Sequence, residues 1–462
     1  MVSPGTSLVG LGLGGGGNAS GGGGGGARYR APRPPLDVAG YPVAPRELEL
    51  EQVHVYVRHG ERTPVSVRMS DAPASIPEHW IMCKQARRFR AAVAGRDPHS
   101  PGELDVQRVV ERADGEAVEG ECLLGELTDV GRQSTYNYGR ALRELYVDRL
   151  GFLPDTLARA NDVYFRSTNL PRTIESLQQI VHGLYPTAKL ESVVPQVRIR
   201  NGRDENLLGN TLSCSRLGHL LLNFANAAAA AYNHTLEPLD KKVAKYLGGN
   251  PIRLDGKPRA SGVLDTIRAA MAHGVKVPPE FEERSVMDPI EKAVVNEWFA
   301  GYKTEEVRRL GMGRLLADLS RKMQLKAQEL PASTSTSAGV VDEQARTPKI
   351  LIHSTHDTAL AGLASALDAF DDRWPAFTAS ITFELFRKRE IQEPDAAAPA
   401  APSQDRAHVR ARYQNRTLVL PLCADEGKHM AGAPEFCTLE AFVERVDELT
   451  PRDWEAECAA GS

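Results

Sequence analysis

The chain has 462 residues, which is enough for a full hydrophobic core and for more than one structural unit. Its formal net charge of −4 argues against bulk electrostatic attraction to nucleic acid, so we expect no nucleic-acid partner. Hydrophobic residues make up 42% of the chain and charged residues 25%, as in ordinary globular proteins. The apolar stretch 217–238 contains several asparagines and therefore predicts a buried or cap helix, so we expect no integral membrane segment.

Residues 1–45 form a Gly- and Pro-rich segment, which we expect to be a disordered tail. Glycines interrupt its apolar run and no Lys or Arg precedes Arg28, so it makes a poor secretory signal. The absence of acidic residues before Asp37 is a feature of transit peptides, although the glycines oppose an amphipathic helix. The sequence leaves the compartment unknown and slightly favours an intracellular location, with the mitochondrion as a candidate, over secretion.

Six cysteines are present, and no two of them form a C-x-x-C pair that would indicate a zinc ribbon or a redox motif. The even number permits disulfides but does not reveal their pairing. The cysteines are Cys83, Cys122, Cys214, Cys423, Cys437 and Cys458.

The N-terminal half alternates predicted strands and helices. The run "ELEQVHVYV" predicts a strand that ends at the charged segment "RHGERTP". Further along, Thr128 can cap a helix, a strand is predicted at 163–165, and the helix after it ends before Pro186. The stripe of the first helix that we expect to face inward consists of Val130, Tyr138, Ala141, Leu142 and Leu145.

Between these elements, residues 66–126 show no clean period, and we assign them partly to a cap. They include a basic run at 83–96, which predicts a solvated helix face. The alternative for this run is a rim that attracts anionic substrates.

The pattern is almost wholly helical over 201–330, and the β signal then resumes with "KILIHSTHD" and "SITFELFRK". Strands that alternate with helices on both sides of a helical block predict an α/β sheet with an inserted, mostly helical cap. We therefore expect an α/β catalytic domain at 46–200 and 347–462 and a cap at 201–330. Residues 331–346 are a predicted linker, and 391–408 are a predicted low-complexity loop.

Three segments share one arrangement, in which a hydrophobic strand is followed at once by basic or acid–base groups. They are "VHVYV-RHGERTP", "DVYF-RST" and "KILIH-STHD". If these strands lie in one sheet, their functional groups converge at its carboxyl edge, where ligands bind in such folds. The six candidate residues are Arg58, His59, Arg62, Arg166, His356 and Asp357.

This set suffices for the hydrolysis of a phosphate ester through a phosphohistidine. His59 is the candidate nucleophile, because neighbouring arginines disfavour its protonation and keep a ring nitrogen available. The three arginines are candidates for binding the non-bridging oxygens, and His356 supplies a further donor if it is protonated beside the phosphate. Asp357 is the candidate proton donor to the leaving alkoxide.

Each residue taken alone has an ordinary structural explanation. Arg58 and Arg62 could pair with carboxylates, and Asp357 could be the N-cap of the helix that follows it. A metal site at His353, His356 and Asp357 lacks further Cys or His partners nearby. The joint occurrence decides against these explanations, since R-H-G-x-R-x-P arises by chance in roughly one chain of this length in ten thousand.

"RHGERTP", "RST" and the late "HD" resemble the histidine acid phosphatases, the R-H-G-x-R-x-P branch of the histidine phosphatase superfamily. The likeness extends from about residue 48 to 458. It implies a phosphoglycerate-mutase-like α/β/α sandwich with a smaller helical domain, and phosphomonoester hydrolysis without a metal or other cofactor. It also implies the same six site residues, with Arg166 as the arginine of "RST". The Gly-rich leader departs from the family, which puts secretion in doubt.

Several alternatives stay open at this stage. "FRSTNLPRTIES" and "FDDRWPAF" resemble family members that act on lysophosphatidic acid, so the substrate is expected to be a small-molecule or lipid phosphomonoester. A phytase, a broad-specificity phosphatase, a phosphoglycerate-mutase-type phosphotransferase and a non-catalytic phospholigand-binding protein are the other hypotheses. The helix from Leu217 onward is a candidate wall of an acyl channel, although such apolar stripes are usually core. The sequence does not predict the oligomeric state.

Overall fold

A computed structural model of the protein describes residues 36–85, 88–92, 103–329, 347–389 and 407–459. The predicted linker at 331–346 lies outside these residues, as do residues 391–406 of the predicted low-complexity loop. The last two residues of that loop, 407 and 408, instead open a strand.

A nine-stranded mixed sheet forms the centre of the molecule. Its order is β10-β11-β8-β7-β1-β6-β4-β5, with β9 paired to β8. Strands β1, β6, β4 and β5 are parallel, and β7 and β8 are antiparallel additions to one side. The strands are β1 (Leu48–Arg58), β4 (Val163–Ser167), β5 (Val197–Ile199), β6 (Ile350–Thr355), β7 (Ser380–Lys388), β8 (Ala407–Tyr413), β9 (Arg416–Leu418), β10 (His429–Met430) and β11 (Ala433–Thr438); a separate hairpin contains β2 (Arg88–Ala92) and β3 (Glu103–Gln107).

Helices cover both faces of this sheet, because the central strands carry apolar side chains on both sides. One face packs against α1 and α2 through Val55, Phe165 and Ile352. The other packs against α7, α8 and α9 through Phe383 and Val409. The helices are α1 (Asp129–Arg143), α2 (Pro171–Leu184), α3 (Ser215–Val243), α4 (Ala260–Ala272), α5 (Arg284–Phe299), α6 (Glu305–Arg308), α7 (Arg314–Gln328), α8 (Asp357–Ala366), α9 (Leu439–Leu449) and α10 (Trp454–Ala459). The predicted α/β class with helices on both faces is confirmed.

Helix α1 begins as its sequence predicts. The Thr128 hydroxyl accepts a hydrogen bond from the N–H of Gly131 at 3.2 Å, so it satisfies one of the free donors of the first turn. Tyr138 and Leu142 are buried as expected. Val130 was expected to face inward, but 42% of its surface is exposed.

A second apolar cluster lies apart from the sheet and joins α3, α4 and α5 to the segment around Trp80. This cluster agrees with a helical cap to which part of 66–126 contributes. The predicted cap extended to residue 330, whereas α7 belongs with the sheet, because Leu315, Leu319 and Met323 on its apolar stripe pack in the same cluster as Phe383. The domain division as a whole stays a prediction.

Two further segments differ from expectation. Residues 88–92 of the basic run form a strand paired with β3, where a helix face was expected. Strand β8 was not predicted. Its residues Arg410 and Arg412 are buried, and both approach Glu384 on the neighbouring strand, at 2.8 Å and 3.9 Å.

Part of the predicted disordered tail is packed against the sheet. The buried Tyr41 hydroxyl donates a hydrogen bond to Glu384 at 2.8 Å and accepts one from Arg410 at 2.7 Å. The prediction is therefore wrong for residues 36–45, which the buried charges of the sheet hold in place, while residues 1–35 lie outside the described part of the chain.

All six cysteines are paired in disulfides. The pairs are Cys83–Cys122, Cys214–Cys458 and Cys423–Cys437. Among the described residues, no helix combines the length and the apolar character needed to cross a membrane.

Candidate active site

The carboxyl ends of β1 and β6 bring two histidines together. The strands are parallel neighbours with Arg58 opposite Thr355, so His59 and His356 each follow at the same edge of the sheet. The backbone N–H of His59 donates to the Thr355 carbonyl at 3.0 Å, and the two imidazole centroids lie 5.7 Å apart. The predicted convergence of strand ends at one edge of the sheet therefore holds for β1 and β6.

The ring of His59 is oriented by its own backbone. Its Nδ1 lies 2.9 Å from the carbonyl oxygen of Gly60, which can only accept, so Nδ1 carries the proton and Nε2 keeps a lone pair. Burial, together with the charges of Arg58 and Arg62, lowers the pKa of His59 well below its usual value. The imidazole is therefore neutral, with one nitrogen available as a nucleophile.

The loop after His59 is fixed by its packing on α1 and α2. A Cβ on Gly60 would lie 2.5 Å from the Gly131 carbonyl oxygen, so only glycine allows this approach. The Gly60 N–H donates to the Ser176 hydroxyl of α2 at 3.0 Å. The close contact that requires a glycine at this position is therefore with α1.

Arg58 and Arg62 both reach carboxylates at this edge. Arg58 lies 2.7 Å from Asp357, and Arg62 lies 2.8 Å from Asp265 of the cap helix α4. The Phe377 ring supports both guanidiniums, at 4.3 Å and 5.8 Å from their central carbons. Two buried arginines are thus held side by side next to the neutral His59.

Asp357 is the first residue of α8, and its carboxylate accepts hydrogen bonds from two directions. Oδ1 accepts from the Thr358 N–H at 2.9 Å, and Oδ2 accepts from the indole N–H of Trp374 at 3.0 Å. Burial raises the pKa of Asp357, but the charges of Arg58 and Arg62 outweigh it, so the pKa lies below its usual value. Asp357 is not the N-cap, which is the preceding residue, His356.

His356 is held by the segment after β4. Its Nε2 lies 2.9 Å from the hydroxyl of Thr168, which also contacts the hydroxyl of Thr173. Burial, followed by the charge of Arg172, lowers the pKa of His356 to about 3. The donor role of His356 was expected to need a protonated ring. A neutral imidazole still carries one ring N–H, so His356 can donate a hydrogen bond at this edge without a further proton.

Arg166 does not join this group. Its guanidinium lies 2.5 Å from Glu205 and 3.8 Å from Asp318 of α7, on the side of the sheet away from α1 and α2. The neighbouring Phe165 packs towards α1 and α2, and successive side chains of a strand point to opposite faces. A residue inside β4 therefore faces a helix layer instead of the sheet edge.

The residue that the sequence analysis missed is Arg172, on the first turn of α2. Its charge lowers the pKa of both His59 and His356, whereas Arg166 is not among the groups with the largest effects on either histidine. Within the described residues, no carboxylate forms an ion pair with Arg172. A signal was present in the sequence, since "RSTNLPR" ends with this arginine, immediately after the proline that begins α2.

A pocket of about 590 Å³ opens onto this group. Its walls come from α4, α5 and the loop that carries Trp374 and Phe377. The predicted acyl-channel wall, the helix from Leu217 onward, is α3 and does not line this pocket. Leu217 packs in the core beside the sheet, which was the other interpretation of the apolar stripe.

Four buried histidines lie in or next to the parallel strands, and the pKa of each is lowered, first of all by burial. They are His54, His59, His353 and His356. Among the described residues, no cluster of three or more His, Cys, Asp or Glu side chains is placed to hold a metal ion.

Two relatives of known sequence are named as phosphatases. A protein of Schizosaccharomyces pombe named as a probable acid phosphatase is 34% identical over 90% of this chain and 95% of its own length. The mouse lysophosphatidic acid phosphatase type 6 is 26% identical over 76% of this chain and 79% of its own length.

Solved structures share the fold at low sequence identity. The phytase of Hafnia alvei in complex with tartrate matches 90% of this chain and 99% of its own length, with a TM-score of 0.54 and 15% identity. The predicted fold class is confirmed by this likeness. The sequence profile of the histidine phosphatase superfamily (branch 2) matches residues 49–414. The chain therefore belongs to the histidine phosphatase superfamily, branch 2.

Proposed function

We propose that the protein is an acid phosphatase that hydrolyses phosphate monoesters through a phosphohistidine at His59. The observation that carries this proposal is the hydrogen bond between Nδ1 of His59 and the Gly60 carbonyl at 2.9 Å. It leaves Nε2 as the nucleophilic nitrogen, beside two arginines that favour an anion. Family membership and the activity named for the Schizosaccharomyces pombe relative support the same conclusion.

In this mechanism Nε2 of His59 attacks phosphorus while the ester oxygen leaves on the opposite side. Arg58, Arg62 and Arg172 donate to the non-bridging oxygens, and His356 adds a neutral donor. We assign Arg172 to the role that the sequence analysis gave to Arg166.

Asp357 is the proposed proton donor to the leaving oxygen and, after that, the base for the hydrolytic water. The charge of Arg58 keeps the pKa of Asp357 low. A further effect must therefore raise this pKa before the carboxyl group can act as the proton donor. A bound phosphate dianion supplies it, because the dianion engages Arg58 and adds negative charge beside Asp357. Both effects raise the pKa of Asp357 when substrate is present.

The mechanism is tested by rapid quench of the wild-type protein with a ³²P-labelled aryl phosphate, followed by mapping of the labelled residue. We expect label on His59, no label in His59→Ala, and loss of hydrolysis in that variant. Label on a different residue would disprove the nucleophile. Asp357→Asn serves as the matched test of the acid, since it should slow alkyl esters far more than activated aryl esters.

For the substrate we propose a lipid phosphomonoester such as lysophosphatidic acid. The name of the mouse relative supports this, and so does the apolar part of the pocket wall that Leu264, Met271 and Phe377 form. A broad-specificity phosphatase is the alternative. Catalytic efficiency should rise with acyl length, by up to about 0.8 kcal/mol for each methylene that becomes buried. No dependence on acyl length, from glycerol phosphate to a long-chain lysophosphatidate, would disprove the lipid substrate.

The compartment remains a proposal as well. The sequence slightly favours an intracellular location, and the three disulfides favour an oxidising compartment. Fractionation of cells that express the full chain, combined with thiol labelling under non-reducing conditions, measures both properties. Free thiols at these six cysteines in the native protein would remove the argument for an oxidising compartment.

A further inference from the structure

The pocket that Arg58, Arg62 and Asp357 help to line carries balanced charge. Five arginines and five carboxylates line it, so the lining has no net formal charge. The arginines are Arg58, Arg62, Arg268, Arg284 and Arg373, and the acidic residues are Asp265, Asp288, Glu291, Asp357 and Asp371.

The two pocket arginines of α4 and α5, Arg268 and Arg284, are each matched by a carboxylate of α5. Arg268 of α4 lies 2.7 Å from Glu291 of α5, and both side chains are less than a fifth exposed. Glu291 is fixed further, because its Oε1 accepts from the backbone N–H of Trp374 at 2.9 Å. This ion pair is therefore a fixed part of the pocket wall that leads to the proposed acid, Asp357.

At the mouth of the pocket the pattern repeats. Arg284 lies 3.1 Å from Asp288, one turn later on α5, and each side chain is about half exposed. On the opposite side, Asp371 accepts a hydrogen bond from the backbone N–H of Arg373 at 3.3 Å, and its ion pair is with Arg416 at 3.4 Å. An anionic group that approaches Arg284 at the mouth therefore meets Asp288 beside it.

A substrate with several phosphates needs cations that have no other partner. On the wall formed by α4 and α5, a second phosphate group would have to displace Glu291 or Asp288 from an arginine and would then lie beside the displaced carboxylate, which repels it. An uncharged group meets no such cost. The uncharged surface available to it comes from Leu264, Met271, Ala272, Trp374, Ala376 and Phe377.

We propose that the cap carboxylates Asp288 and Glu291 restrict the enzyme to esters that carry a single phosphate on an otherwise uncharged molecule. This inference rests on the proposed phosphatase function and gives its substrate class. Asp288 and Glu291 act as specificity-determining residues, because they cancel the arginines that a polyphosphorylated ring would otherwise bind. The fold that the protein shares with phytases does not determine how many phosphates its substrate carries, whereas the charges of α4 and α5 do.

The test compares kcat/KM for p-nitrophenyl phosphate with kcat/KM for myo-inositol hexakisphosphate at one pH and ionic strength. We expect the wild-type protein to prefer the monoester by at least about a hundredfold. Asp288→Asn and Glu291→Gln should each lower this preference by roughly three- to tenfold, and less at high salt. Asp288 is half exposed, so its variant tests the idea even if Glu291→Gln is unstable.

The matched control is Glu306→Gln, which removes the same charge from a pair with Arg216 outside the pocket. It should leave the preference unchanged. Comparable efficiency with both substrates in the wild-type protein would overturn this inference and leave the phosphatase function intact. Hydrolysis of neither substrate would overturn both. A preference that does not change in Asp288→Asn or in a folded Glu291→Gln would show that these carboxylates do not set it.

Discussion

Replacing Arg172 with alanine is the substitution that most directly tests the geometry of the site. Arg172 has no carboxylate partner within the described residues, and its charge affects both His59 and His356. If it binds a non-bridging oxygen, Arg172→Ala removes one preorganised charged donor from the transition state. The loss of such a donor costs about 3–4 kcal/mol, so turnover should slow by roughly a hundredfold to a thousandfold.

The control must remove Arg166 without leaving a buried charge unpaired. Glu205 accepts from Arg166 and from the backbone N–H groups of Asn206 and Leu207, the latter two at 2.8 Å. Arg166→Met alone would leave this carboxylate buried without its cation, which typically costs about 3–5 kcal/mol of stability. The double variant Arg166→Met/Glu205→Gln keeps an acceptor for both N–H groups and introduces no net charge.

The assay is kcat/KM for p-nitrophenyl phosphate and the inhibition constant of inorganic phosphate, with thermal unfolding as a check on the fold. We expect Arg172→Ala to lose activity and to bind phosphate more weakly at a nearly unchanged Tm. The double variant should keep its activity within about fivefold. The opposite result is a folded double variant that loses kcat/KM a hundredfold and an Arg172→Ala variant near wild type. That result would refute the assignment of phosphate binding to Arg172 instead of Arg166.

Three further predictions concern the acid, the buried histidines and metal ions. Trp374→Phe removes the 3.0 Å hydrogen bond to Asp357 and should slow the turnover of alkyl phosphates about tenfold but that of p-nitrophenyl phosphate under twofold; equal losses would contradict a positioning role. The four buried histidines have lowered pKa values in the folded state, so the unfolded chain binds more protons as the pH falls through 6.5. The free energy of unfolding from urea titrations should then fall by up to about 1.4 kcal/mol per pH unit for each histidine between pH 6 and pH 5, and a rise would contradict their neutral state. A chelator should leave activity unchanged, because arginines supply the positive charge, and a complete loss that added metal restores would disprove this.

The sequence by itself predicted those candidate site residues that lie at the end of a strand or directly after it. Arg58, His59, His356 and Asp357 all belong to or follow β1 and β6, and parallel neighbours end at the same edge of the sheet. Their positions depend on the chain direction and on pairing within the sheet, which the hydrophobic patterns of these strands indicate. The helical cap could also be predicted from the sequence, because helical periodicity is a local pattern.

The tertiary structure decided which arginine reaches the site. Arg166 lies inside β4, so the alternation of side chains points it at a helix layer, and that orientation depends on which face packs against α1 and α2. Arg172 reaches the site because the loop after β4 returns to begin α2 beside His59, and loop geometry has no period in the sequence. Local patterns therefore specified the elements, and the packing between elements selected the residues.

The same distinction explains the other differences between the sequence analysis and the structure. Arg410 and Arg412 of β8 are buried beside Glu384 of β7, and the sequence does not reveal such a partner at a distance. The pocket wall comes from α4 and α5 instead of α3, although all three helices carry apolar stripes. Burial of a charge and the lining of a pocket are properties of pairs of elements, so only the assembled fold determines them.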